Sequence, residues 1–145
     1  MLALIQRVTR AEVSVDGRVV GAIGPGLLAL VGIEPDDAEP QVARMAQRLL
    51  GYRVFADTAG RMNLSLMQTG GGLLLVSQFT LAADTARGMR PGFQTAAAPE
   101  IAEPVFNRLV SACRSAHPAV ETGCFGAHMV IGLVNDGPVT FLLQA

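Results

Sequence analysis

Leu27-Leu28-Ala29-Leu30-Val31-Gly32-Ile33 is the segment that most limits what this chain can fold into. A strand with one wet face alternates apolar and polar residues. An unbroken apolar run instead marks a strand buried on both faces, in the middle of a sheet. Leu73-Leu74-Leu75-Val76 repeats the pattern. With 145 residues, 50% of them hydrophobic and 16% charged, the chain is long enough to close one core around such strands. Residues 1–145 read as one domain, with no linker and no internal repeat.

The remaining elements are punctuated by turn chemistry. Leu2 to Val8 and Glu12 to Val15 read as strands, and Asp16-Gly17 is a hairpin turn into Val19 to Ile23. Gly24-Pro25-Gly26 is a second turn. Asp36 or Asp37 is placed to cap a helix with Pro40 in its first turn and Val42, Met45, Ala46 and Leu49 on one face. Tyr52 to Phe55 and Asn63 to Leu66 read as short strands. Gly70-Gly71-Gly72 lacks the GK[ST] ending of a phosphate loop and leads into a strand, so it reads as a flexible hairpin connection. A second helix covers Glu100 to Ala116, with Ile101, Val105, Leu109 and Ala112 inward and His117-Pro118 ending it. Val120 to Cys124, Ala127 to Val134 and Val139 to Leu143 complete the strands. The pattern predicts an α/β fold: a compact single domain with mixed or antiparallel β-sheets and two main helices packed on them.

Charge and composition narrow the partners. The net charge is −1, which provides no global field to attract nucleic acid. All 11 basic residues are Arg. A local arginine patch can still hold phosphate through bidentate hydrogen bonds that Lys cannot make. No apolar run reaches the roughly 18 residues of a membrane span. The N-terminus enters alternating strand sequence with no basic stretch before it, which argues against a signal peptide. Cys113 and Cys124 form no CxxC pair and read as reduced thiols of a cytoplasmic protein.

Catalytic side chains are sparse. Ser77, Gln78 and Thr80 follow the buried Leu73–Val76 strand, where hydroxyls and an amide can be aimed at a ligand. A hydroxyl is a weak nucleophile without a neighbouring base. The only histidines are His117, at a helix end, and His128, in an alternating strand, and no acidic residue is placed to orient either. Two Cys and two His at scattered positions match no zinc spacing, so neither metal nor cofactor is expected. Backbone N–H groups around Phe79 and Thr80 are placed to hold a developing oxyanion. The Asn135-Asp136-Gly137-Pro138-Val139-Thr140 segment breaks an apolar stretch, with buried strands expected on both sides. Proline there belongs to a turn, edge or bulge, and a cis Gly-Pro bond would expose neighbouring carbonyls with no side chain between them.

Ser77-Gln78-Phe79-Thr80-Leu81 and Asn135-Asp136-Gly137-Pro138-Val139-Thr140 together resemble the SQFTL and NxGPVT signatures of the D-aminoacyl-tRNA deacylase (D-tyrosyl-tRNA deacylase) family. Leu4–Val8, Met62–Ser65 and Glu121–Ala127 fall in the family's order as well. The resemblance implies a cytoplasmic homodimer with D-aminoacyl-tRNA as substrate and no membrane association. It implies hydrolysis of the ester between tRNA and a D-amino acid or glycine. It places Ser77, Gln78, Phe79 and Thr80 at the catalytic centre. Gly137 and Pro138 would enter the partner's active site on a cis loop held by Arg7, with Asn135, Phe125 and Met129 also binding substrate. Arg87 and Arg90 are candidates for tRNA phosphate contact. They lie in Asp84–Phe93, where the family's DTRKGxRPxF pattern has lost one basic position to Ala86. Two other functions fit the residues: a noncatalytic RNA- or DNA-binding module on the same fold, and a hydrolase of free peptides or small esters using Ser77 or Thr80 with His128.

Overall fold

The computed structural model describes residues 1–145. The strands are β1 (Leu2–Val15), β2 (Arg18–Ile23), β3 (Gly26–Gly32), β4 (Phe55–Ala56), β5 (Met62–Leu64), β6 (Gly72–Ser77), β7 (Val120–Thr122) and β8 (Val130–Gln144). The helices are α1 (Glu39–Gly51), α2 (Leu66–Thr69) and α3 (Pro99–Ala116), with a 3-10 turn at Phe79–Ala82. The main sheet runs β2-β1-β3-β6-β7, and β8 pairs β1 on its other side. The β3–β6 and β6–β7 pairs are parallel, whereas β1 is antiparallel to β2, β3 and β8. The sheet is therefore mixed, as the sequence pattern predicts.

The two apolar runs are buried on both faces because successive side chains of a strand point to opposite sides. Leu27, Ala29, Val31, Leu73 and Leu75 enter the larger core with α1 and α3. Leu28, Leu74 and Val76 face the other way, into a smaller core with Val8, Ala11 and Val13. The long β1 reaches both cores. Its N-terminal half lies beside β3 from Leu2 to Val8, and its C-terminal half carries β2 from Ala11 to Val15.

Several elements differ from the sequence expectation. Leu2–Val8 and Glu12–Val15 form one strand, because β8 pairs along both. The segment from Tyr52 reduces to β4, and Asn63–Leu66 divides between β5 and α2. The triple glycine is no hairpin connection. It joins α2 to β6, and a Cβ on Gly72 would lie 2.8 Å from Ile23, so close packing requires its missing side chain. In α3 the inner face is Ala102, Val105, Phe106, Leu109, Val110 and Cys113, while Ile101 is exposed. The stripe is rotated because the larger Phe106 takes the core position.

Neither Asp36 nor Asp37 caps α1. The N-cap is Ala38, whose N–H donates to the Gln41 side chain at 3.1 Å. Asp37 is buried and accepts instead from the Glu34 amide at 2.8 Å and from the Met1 ammonium at 2.6 Å. Glu34 takes the same ammonium at 2.6 Å. The Ala145 amide in turn donates to the Met1 carbonyl at 3.0 Å, so both ends of the chain are held over the core. Without the Asp37 carboxylate the buried ammonium keeps only Glu34, which is partly solvated, and the Glu34 amide loses its acceptor. Asp37→Asn is expected to lower unfolding stability by about 3 kcal/mol, read as a lower urea midpoint with an unchanged m-value.

Candidate functional site

The end of β6 builds the site. The Gln78 amide donates to the Val31 carbonyl at 2.7 Å, which carries the chain one residue beyond the strand before it turns into the 3-10 helix. The turn's internal bonds begin at Leu81, which donates to the Gln78 carbonyl at 3.2 Å. The amides of Phe79 and Thr80 are thus the first-turn donors, with no acceptor inside the helix. The segment leading to α3 is fastened above this turn. Thr95 donates its hydroxyl to the Ala82 carbonyl at 2.5 Å, and the Ala97 amide donates to the Ile33 carbonyl at 2.9 Å.

Between these pieces lies a cavity of about 650 Å³. Val31 and Val76 contribute from the sheet, Ser77, Gln78 and Phe79 from the turn, and Phe125 and Met129 from the segment before β8. Phe93 and the start of α3 complete the walls. Phe79 and Phe93 pack with ring centroids 5.2 Å apart, and both remain substantially exposed. A mostly apolar concave site with a few polar groups at one end suits a small organic ligand. Sequence reasoning missed Phe93. Its signal was an aromatic residue at the end of an otherwise polar loop.

Thr80 is exposed, outside the cavity lining, and its Oγ1 accepts from Gln78 Nε2 at 2.5 Å. A side-chain amide cannot remove a proton from that hydroxyl. His128 is in a loop, contrary to the strand expected there, and lines the cavity without a hydrogen bond to Ser77 or Thr80. His117 is buried, with Nε2 2.7 Å from the Gly71 carbonyl. Its ring therefore carries the proton on Nε2 and ties α3 to the glycine segment. Burial pushes the Cys113 thiol up to about 12, which leaves it without nucleophilic character.

The Asn135–Thr140 segment is a bulge within one continuous strand, not a turn between two. Val8 pairs Asn135 and Gln6 pairs Thr140, so Arg7 alone faces Asp136, Gly137, Pro138 and Val139. The Gly137–Pro138 bond is cis. Arg7 Nε reaches the Asp136 carboxylate at 3.1 Å and its carbonyl at 3.2 Å, while Nη1 donates to the Val54 carbonyl at 2.6 Å. Asn135 closes the bulge from inside: its side-chain oxygen accepts from the Val139 amide and its Nδ2 donates to Thr140 Oγ1, both at 2.9 Å.

The two signature segments do not meet within the chain. Arg7 pairs Leu27, whereas the cavity begins at Val31. That separation along β3 is roughly 13 Å. Gly137 and Pro138 are exposed and line no part of their own chain's cavity, nor do Arg7 and Asn135. Arg87 and Arg90 are exposed in the loop that ends at Phe93. The strand segments beside the bulge also depart from expectation. Val130, Leu133, Val134, Phe141 and Leu142 are exposed, because β8 is an edge strand paired only to β1.

A profile of the family described as D-Tyr-tRNA(Tyr) deacylase matches residues 4–144. A protein of Xanthomonas campestris pv. campestris (strain 8004) named D-aminoacyl-tRNA deacylase is 73% identical over 145 residues, covering 99% of each chain. One of the same name from Stenotrophomonas maltophilia (strain K279a) is 72% identical, with 99% of each chain covered. Among solved structures, the c-Myc DNA Unwinding Element Binding Protein superposes with a TM-score of 0.96 at 38% identity, covering 100% of this chain and 99% of the other. A probable eukaryotic D-amino acid tRNA deacylase superposes at 0.88 with 16% identity, over 99% and 98% of the two chains, a likeness of fold alone.

Gly137 has φ +134°, and a Cβ there would sit 2.6 Å from Val139 Cγ2 and 2.9 Å from the Val139 amide nitrogen. Gly137→Ala is therefore expected to cost about 1–3 kcal/mol of stability, measured by urea unfolding. The neighbouring Asp136→Ala, which removes only an exposed carboxylate, should cost less than about 1 kcal/mol.

Proposed function

The chain belongs to the D-Tyr-tRNA(Tyr) deacylase family, and from that premise we propose how this ester hydrolase removes D-amino acids, and glycine, from tRNA. The esterified 3′ end enters the Ser77–Phe79 cavity. Gly137 and Pro138 of a second copy close it and present main-chain oxygens to the substrate's α-ammonium group. The observation that carries this reading is the exposure of the Gly-Pro bulge away from its own cavity. Only another protomer can bring the two signatures together. The apolar residues of β8 favour such pairing, since an uncovered edge strand offers both backbone bonds and hydrophobic area.

The chemistry follows from what lies at the turn. The amides of Phe79 and Thr80 polarise the ester carbonyl and stabilise the oxyanion that forms on attack. Water adds to the carbonyl carbon, the bond to the ribose oxygen breaks, and that oxygen leaves with a proton. Thr80 is no nucleophile here, because its hydroxyl hydrogen-bonds an amide and meets no base. The adjacent ribose 2′-hydroxyl of the substrate supplies the assistance that the protein lacks. Selectivity rests on main-chain atoms around Cα. An L side chain collides with them, a D side chain points out, and glycine has nothing to collide.

Incubation with D-Tyr-tRNA, L-Tyr-tRNA and a small D-amino ester tests the reading. Selective loss of the D-charged tRNA is expected, and tRNA binding without turnover would contradict it. Thr80→Ala is expected to retain deacylation within about ten-fold of the unaltered protein. A 2′-deoxy terminal nucleotide is expected to reduce it at least about 100-fold. Complete loss in folded Thr80→Ala would restore the side chain as nucleophile.

A further inference from the structure

One glycine hands the chain from β7 to the cavity wall. Gly123 follows Thr122, the last residue of β7, and leads to Phe125 and Met129, which line the cavity. The Gly123 amide donates to the Leu75 carbonyl at 3.0 Å, so the chain is still fastened to β6 as it leaves the strand. The backbone there does not require glycine, because its φ lies outside the left-handed region. Space requires it instead. A Cβ on Gly123 would lie 2.6 Å from Met129 Sδ, whereas its next neighbours, Val76 Cγ1 at 3.6 Å and Val13 Cγ1 at 3.7 Å, stand at ordinary contact distance. Met129 thus folds back and seats its sulfur where a side chain would stand, against the smaller core that holds both valines.

Methionine is unbranched and flexible, and it adapts to whatever space it is given. Left on an open surface it samples several rotamers and makes a poorly defined wall. The bare Cα of Gly123 gives the thioether one place to stand. A side chain at that position evicts it. Val13 and Val76 are fully buried and block the inner side, so the displaced sulfur moves into the cavity that Met129 lines. Resting on the deacylase reading, we infer that Gly123 is a positioning residue for the reaction: it seats Met129 so that the cavity keeps the width the aminoacylated 3′ end needs. The Phe79 and Thr80 amides lie on a different element, so the seat governs how well substrate is held and not how the ester is attacked.

Kinetics with D-Tyr-tRNA and NMR of 13C-methyl-labelled methionine test the seat. Gly123→Ala should raise KM about ten-fold and leave kcat within about two-fold. It should also shift one of the six methionine methyl signals, the one missing from the spectrum of Met129→Ala. Met129→Ala weakens binding in its own right, but adding Gly123→Ala to it should cost nothing more, because the two residues act through one contact. An unchanged KM in folded Gly123→Ala, a Met129 methyl signal that stays in place, or losses that multiply in the double variant would each overturn the inference. If Gly123→Ala does not fold, the double variant must fold and match Met129→Ala in KM; its failure to fold places the conflict elsewhere and overturns the inference equally. The deacylase reading fails separately, through absence of D-over-L selectivity in the unaltered protein, which leaves the methyl shift as it is.

Discussion

Double-sided burial of β3 and β6 is the constraint from which the rest of the molecule follows. Two parallel strands with apolar side chains on both faces cannot be left at a surface. The α1 and α3 helices satisfy one face, and the far halves of β1 and β8 satisfy the other. The chain emerging from the C-terminal end of β6 has no further strand to join. It turns over the edge of the core, and that turn carries Ser77, Gln78, Phe79 and Thr80. The position of the cavity is thus a by-product of where a buried parallel strand stops, as in open sheets whose ligands gather beyond the strand ends.

A second consequence concerns β1. Its length forces it to serve both cores, and a strand that long must twist. The register breaks that relieve the pairing with β8 fall on either side of Val8. One of them ejects the Gly137–Pro138 bulge. Arg7, the single residue opposite, compensates by filling three acceptor positions at once. The bulge is therefore a fixed outward-facing feature of the sheet, braced by Asn135 from within.

The central strands, the helix over Val42 to Leu49 and the Asp16-Gly17 hairpin were legible because each depends on local periodicity or local turn chemistry. Asp37 was not, because its partner is the ammonium of Met1, a contact set by how the ends of the chain meet. The rotation of α3 was hidden for a related reason: Ile101 and Phe106 are both apolar, and packing decides which is buried. At the site, the turn after β6 could be located from sequence, yet the pairing of Gln78 with Thr80 and the arrival of Phe93 depended on tertiary approach. The Asn135–Thr140 break was visible, but its form was not. A proline between apolar runs signals interrupted pairing without saying whether the strand ends or bulges.

The bulge has one more effect, on what β8 can do as an edge. Fifteen residues of strand would offer a long template to any extended chain. Asp136 to Val139 cut that edge into Val130–Asn135 and Thr140–Gln144, so no long uninterrupted template remains. An acidic residue, a glycine and a proline stand at the cut. The feature that breaks the ladder thus also blunts the edge against indiscriminate strand addition while leaving each short piece free for specific pairing.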